Sequence, residues 1–366
     1  MKRRSAPTAN RKSLIVLALA CVAVLAAACA PPPSLGSITT QSPRQPEWPV
    51  VRDPFIINDG FWYFVLGSSN STMHVPMHDG VTNLATVYGN PVAWSSHLRD
   101  AMPTRPAWAL DDAISSPTIA KFGSTYVMFF SAKRLNAPDS THPVCIGRAT
   151  STLPQGPYVP ESRPYSCGLD GLHGASDPSI FIGPTGSALL YAVFGGPTVN
   201  EDSAIYAMIL RTDGDNARDA NGFAGYWGYP ILVPKFSSET FLGKPSVIYD
   251  SITNTYLMTF SIGTPDTASR STGIARCALA TGLCTHSINP WLDSGGSPAR
   301  TGVSDLSFFN TIDGAHKAVY ASFASGQEGI TNYAPDTTPP AAPIAHHYRA
   351  ASVSSVTLGT SPTLGP

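Results

Sequence analysis

The feature that most constrains this chain is a motif that restarts five times. It reads Asp53-Pro-Phe-Ile-Ile-Asn, Ser116-Pro-Thr-Ile-Ala-Lys, Asp177-Pro-Ser-Ile-Phe-Ile, Lys244-Pro-Ser-Val-Ile-Tyr and Asp305-Leu-Ser-Phe-Phe-Asn. The starts are 63, 61, 67 and 61 residues apart. Each motif is a short apolar strand, followed by a turn and a second strand rich in aromatic and β-branched residues. A period near 60 with strand-turn-strand in each unit predicts an all-β repeat architecture, a five-bladed β-propeller. The first residue of each repeat is expected to point at the propeller axis. Two of the five, Asp53 and Asp177, are acids in an Asp-Pro pair.

The turns agree with this period. Asn58-Asp59-Gly60 separates two apolar runs in the first unit, a strong hairpin signal. Gly123-Ser124, Gly183 to Gly186, Asp250 to Asn254 and Asp313-Gly314 stand at the corresponding places in the other units. With 34 Pro and 31 Gly, the chain suits many strands joined by irregular loops. Only 13% of its 366 residues are charged and the net charge is −1, so no basic surface for nucleic acid and no acidic tail is present. The continuous repeat predicts one domain over residues 46–366. The segment Ser352 to Leu358 should supply a strand that closes the ring against the first or last blade.

The N-terminus reads as a targeting segment over residues 1–29. Lys2, Arg3, Arg4, Arg11 and Lys12 precede an apolar run from Leu14 to Ala28, too short for a membrane span and ending in small residues. Cys29 after three Ala resembles a bacterial lipoprotein cleavage site, in which the Cys carries lipid. Cleavage after an Ala-x-Ala remains the other reading. Residues 30–45 form a Pro- and Ser-rich tether. Either cleavage gives a secreted or cell-surface protein in an oxidising compartment. Of the three pairings open to the remaining four cysteines, sequence proximity favours Cys145–Cys167 and Cys277–Cys284. A zinc site would need closer ligand pairs than these.

Four stretches together resemble glycoside hydrolase family 43, whose members include arabinanases, arabinofuranosidases and β-xylosidases. They are Arg52-Asp53-Pro54 before its hairpin; Cys145-Ile-Gly-Arg-Ala-Thr-Ser151 with Gly156-Pro157-Tyr158 and Cys167; Ser176-Asp177-Pro178-Ser179; and Pro245-Ser246-Val247 leading to Gly273-Ile-Ala-Arg-Cys277 and Gly282-Leu283-Cys284. The resemblance spans most of residues 50–325. It implies a five-bladed propeller that hydrolyses glycosides with inversion at one mouth of the axis. By position it makes Asp53 the general base and Asp177 the residue that tunes and orients the acid. The family's acid is a Glu two residues before the Pro of the fourth repeat, and Gly243 stands there. A retaining fructan-type relative would need the same Glu.

Glu239, four residues upstream of Gly243, is the nearest candidate for a displaced acid. The plainer reading is a solvated loop residue. Asp53 and Asp177 have a plain reading too, as backbone-capping groups near the axis. Trp94, Trp108 and Phe241 lie between repeats, where aromatics could stack on sugar rings, although aromatics are more often core. Trp62, Trp227 and Trp291 carry the same two readings. His173 sits just before the third motif, and Lys244 and Asp305 are expected to line the mouth. No cofactor is required and no metal site is expected, although a cation at the axis stays open. The expected partner is an oligosaccharide or polysaccharide, with membrane contact only through a lipidated N-terminus and a monomer as the working unit. The sequence thus supports a hydrolase-like protein for arabinose- or xylose-containing glycans with its acid missing or relocated. The alternative is a glycan-binding propeller that has lost turnover.

Overall fold

The computed structural model describes residues 34–42, 52–69, 72–84, 97–137, 144–168, 174–194, 203–216, 229–265, 267–295, 299–324 and 350–365. Within them the strands form five four-stranded antiparallel sheets, each built from consecutive strands. Blade 1 is Phe55–Asn58, Tyr63–Leu66, Pro76–Val81 and Leu98–Asp100. Blade 2 is Ala109–Phe122, Thr125–Arg134, Val144–Ser151 and Val159–Pro160. Blade 3 is Gly174–Gly183, Gly186–Phe194, Ala204–Leu210 and Tyr229–Leu232. Blade 4 is Leu242–Asp250, Thr255–Ile262, Ser271–Cys277 and Cys284–His286. Blade 5 is Arg300–Asn310, His316–Ala324, Ala350–Thr357 and Thr363–Gly365. The first strand of each blade contacts the first strands of its two neighbours, and the first of blade 1 meets that of blade 5. The chain is a five-bladed β-propeller.

The ring closes without a shared strand. Ala350–Thr357 pairs with His316–Ala324 inside blade 5, so the last blade is completed by its own sequence. Closure comes from side chains. Ile56, Tyr63 and Val65 of blade 1 form one buried cluster with Phe309, Val319, Ala351 and Val353 of blade 5. Each such side chain is worth roughly 1.5–3 kcal/mol when fully buried. The Tyr63 hydroxyl also accepts the Ile312 amide at 2.7 Å.

A second fastening lies at the seam of blades 4 and 5. Residues 34–42 dock there, with Leu35 and Ile38 packed on the cluster that contains Trp291, Leu292 and Tyr320. The Gly36 amide donates to the Thr360 carbonyl and the Gln41 amide to the Trp291 carbonyl. Arg276 is buried beside Asp250 at 3.0 Å and also donates to the Gly359 carbonyl, while Gly359 donates its amide to Asp250. The two disulfides are Cys145–Cys167 and Cys277–Cys284.

The five repeat-opening residues share one backbone conformation. Asp53, Ser116, Asp177, Lys244 and Asp305 have φ of 51°, 55°, 56°, 50° and 60°. None is glycine, and the left-handed region costs such residues on the order of 1–3 kcal/mol each. In blades 2 to 5 the strand register slips at this point, so the residue leaves the ladder as a bulge. The bulge aims the side chain inward, and the surrounding ring holds it there.

Candidate functional site

The shared left-handed backbone brings four of the five repeat-opening side chains into one hydrogen-bonded group at the axis. The Lys244 ammonium lies 2.7 Å from Asp53 Oδ1 and 3.5 Å from Asp177 Oδ1. It also donates to the Ser116 hydroxyl, which in turn donates to Asp177 Oδ1 at 2.9 Å. The Lys244 amide donates to Asp177 Oδ2 at 3.2 Å. Asp53 Oδ2 accepts from the Ser68 hydroxyl and, at 3.3 Å, from the Ser116 amide. Asp305, the fifth, is buried and paired with the Arg270 guanidinium at 3.1 Å. Two carboxylates and one ammonium therefore share the core of the site, and a second acid–base pair adjoins it.

The charge balance decides the state of Asp53. Burial pushes its carboxyl up, but the Lys244 ammonium and the Arg52 charge oppose it. Hydrogen bonds from Lys244 and Ser68 add to them, and together they hold Asp53 well below the usual carboxylate range. Asp53 is an ionised, fully engaged carboxylate.

Serine hydroxyls lock the backbone of this ring. The hydroxyls of Ser68, Ser131 and Ser261 accept the amides of Ser116, Asp177 and Asp305, each from the next blade. One step further along the axis, Thr118 and Ser246 accept the amides of Ile180 and Phe308 in the same way. These residues were not singled out in the sequence. The signal available is a Ser near the end of the second strand in blades 2 and 4, as in Phe130-Ser131 and Phe260-Ser261. The axial depression they surround is lined by Asp53, Phe55, Thr118, Ser179, Lys244 and Ser307 among others, with water-sized space of about 20 Å³. That is room for about one water.

The position expected to hold the acid is closed by its neighbours. A Cβ on Gly243 would lie 2.6 Å from Asp177 Oδ2 and 2.6 Å from the Phe241 ring. Contacts that short do not occur, so the glycine allows Asp177 and Phe241 to occupy the space an acid would need. Glu239 lies elsewhere. It is only 5% exposed, with its carboxylate 2.8 Å from His286 Nε2 and accepting the amides of Lys235 and Phe236. Burial pushes its carboxyl up, and the His286 and amide bonds bring it below the ordinary value.

The aromatics expected at the rim are interior. Trp108 stacks on Phe130 over Gly147, where a Cβ would come within 2.7 Å of the indole. Phe241 is buried in the core of blades 3 and 4, with the Arg270 guanidinium 5.9 Å from its ring centre. Trp291 is fully buried, its indole N–H donating to the Pro362 carbonyl. In each case a glycine or a backbone carbonyl supplies the space or the partner that lets a large ring go inside. Trp62 is half-exposed, on the hairpin turn at the far end of the first strand. Trp94, Trp227, His173 and Cys29 lie outside the described residues. Among the described residues no group of three or more His, Cys, Asp or Glu is placed to hold a metal ion.

No family model matches the chain, and no curated protein matches it in sequence. Solved structures do match in shape. A thermostable family-43 glycoside hydrolase superposes with a TM-score of 0.65 at 18% identity, covering 88% of this chain and 96% of that one. An α-L-arabinofuranosidase from Lactobacillus brevis gives 0.63 at 14% identity, covering 85% and 93%. An endo-arabinase from Bacteroides thetaiotaomicron gives 0.58 at 13% identity, covering 87% and 99%. The chain thus shares with glycoside hydrolases of family 43 the five-bladed propeller fold over nearly its whole described length.

Proposed function

We propose that this chain is an exported, lipid-anchored propeller that binds arabinose- or xylose-containing glycans and has lost the power to hydrolyse them. The observation that carries the reading is the Lys244 ammonium seated on Asp53. Inverting hydrolysis needs an ionised carboxylate free to take a proton from water, and a protonated acid across the glycosidic bond, roughly 6.5–9.5 Å away. Asp53 is ionised, but both its oxygens already accept bonds and its affinity for a proton is low. A base with so depressed a pKa gives little driving force for proton abstraction.

The acid side supports the same reading. Gly243 cannot donate a proton, and any side chain placed there would have to displace Asp177 and Phe241. The carboxylate of Glu239 pairs with His286 and accepts the amides of Lys235 and Phe236 instead. General acid catalysis is typically worth 10²–10⁴-fold, so its loss alone would leave weak turnover. The choice of glycan rests on the structural neighbours, which include an endo-arabinase, an arabinofuranosidase, a xylanase and a xylosidase.

The test pairs turnover with binding. Aryl arabinofuranosides and aryl xylosides should give no release above background. Titration calorimetry with arabinan and xylan oligosaccharides should show binding that survives Asp53→Asn. Release that disappears in Asp53→Asn and Glu239→Gln would make the protein an enzyme and overturn the proposal.

A further inference from the structure

We infer that the face of the propeller opposite the Lys244 site lies on a lipid surface. Each blade's first strand runs from the axial bulge to a hairpin turn, so the five inner turns sit together on the far face. On blades 1, 4 and 5 these turns carry large apolar side chains that are exposed among the described residues. Phe61 is 77% exposed and Ile252 72%, and Trp62 and Ile312 are also exposed. Leu283, on the outer turn of blade 4, extends the same face. Asp59 holds the Phe61 and Trp62 amides in a tight turn at 3.0 and 2.8 Å, so the two rings are presented on a fixed loop.

The chain itself selects the occupant. Gly36 is bonded to Thr360, which follows Gly359, and Gly359 is bonded to Asp250. Asp250 also accepts the Ile252 amide, so Gly36 lies at the far face beside that isoleucine. From there the segment climbs the seam of blades 4 and 5 to Gln41, which pairs with Leu292 at the level of Thr272, near the opposite face. The chain therefore enters the fold at the apolar face. Four residues lie between Cys29 and Ser34, so the two are at most ~18 Å apart along extended chain. An anchor at Cys29 would hold that face, and not the Lys244 mouth, against the bilayer. Aromatic and aliphatic side chains suit the interface, and a second membrane contact strengthens a single lipid anchor. Asp59 and Asp313 lie in these turns and Lys121 and Lys317 stand beside them, so the face carries both signs of charge and the attraction is apolar.

This inference rests on Cys29 as the lipid-bearing residue. Mass spectrometry of the membrane-purified protein reads that modification independently of the face. The face is tested with the full chain on vesicles of phosphatidylethanolamine and phosphatidylglycerol, with and without bromine-labelled acyl chains. Bromolipid should quench tryptophan emission, and Trp62→Phe should remove at least half of that quenching. Phe61→Ser, Ile252→Ser and Ile312→Ser together should reduce the quenching of Trp62 at least threefold without changing the melting temperature. Added salt at 0.5 M, on the order of a 4 Å Debye length, should change neither result. Quenching unaltered by Trp62→Phe, or by the triple substitution, overturns the inference. So does a dimer in sedimentation velocity that the triple substitution abolishes, since that assigns the face to a second copy.

Discussion

The Lys244 ammonium bridges Asp53 and Asp177, at 2.7 and 3.5 Å, across residues that stand 191 and 67 positions away in sequence. It ties blade 4 to both blade 1 and blade 3 at the axis. Lys244→Met removes it while keeping the bulk of the side chain. Removing one partner of a buried pair costs about 3–5 kcal/mol, and both Asp53 and Lys244 are nearly buried, so about 3 kcal/mol is expected here. Urea unfolding at pH 7 measures it.

The same substitution should reverse a pH dependence. In the native protein Asp53 is held below its unfolded value of about 3.9. Below that pH the unfolded chain takes up a proton that the folded chain refuses. The contribution of Asp53 is therefore complete above about pH 4 and is lost as the pH falls through and below it. Without Lys244, burial becomes the dominant influence and pushes Asp53 above its unfolded value. The variant should then gain stability between pH 7 and pH 4, and its deficit against the native protein should shrink on acidification. A deficit constant from pH 7 to pH 3 would show that the two residues are not electrostatically coupled.

Gly243→Glu restores the side chain that hydrolysis calls for, yet no gain of activity is expected. Its Cβ meets Asp177 and Phe241 at 2.6 Å, and overpacking of this kind costs typically 1–3 kcal/mol. The variant should melt several degrees lower than the native protein and release no aryl leaving group. A variant with unchanged melting temperature and measurable hydrolysis would mean that the site can reopen around a carboxylate.

Much of this architecture was legible in the sequence because it repeats. A polar residue at a spacing near 60, four times before Pro and once before Leu, marks a strand with a defined break, and the break proved to be a left-handed residue at the axis in each blade, set in a bulge in blades 2 to 5. Disulfide partners followed from proximity. What the sequence hid was which side chains answer one another across blades. Nothing in the local sequence of Lys244 says that it neutralises Asp53, since that depends on ring closure. The burial of Trp108 and Phe241 was hidden for a related reason. Each ring fills space made by a glycine, at Gly147 two strands across the blade or at Gly243 two residues along the chain. The tether was half legible: Leu35 and Ile38 sit in a stretch with no periodicity, and only the seam of blades 4 and 5 gives them a partner.

The two disulfides should contribute unequally. Cys145–Cys167 closes a loop of 22 residues and Cys277–Cys284 one of 7. If limiting the unfolded chain dominates, the first is worth about 3 kcal/mol and the second about 2 kcal/mol. Replacing each pair by Ser and unfolding in urea should show the larger loss for Cys145 and Cys167. The reverse order would place the stabilisation in the folded hairpin of blade 4.

The buried pair of Arg276 and Asp250 fastens the last turn of the chain to blade 4, and through Thr360 it also steadies the entering segment at Gly36. Burial pushes Asp250 up, but bonds from Arg276, Thr253 and Gly359 hold it below its ordinary value. Arg276→Met leaves that carboxylate buried without its charge partner, at a cost of about 3–5 kcal/mol. The loss should be local before it is global, because the Gly359 carbonyl loses its donor at the same time. Limited proteolysis of the variant should cut first near residues 358–362 and near residues 34–42, with the blades intact. Simultaneous cleavage throughout the chain would show instead that the seam of blades 4 and 5 opens only when the whole ring unfolds.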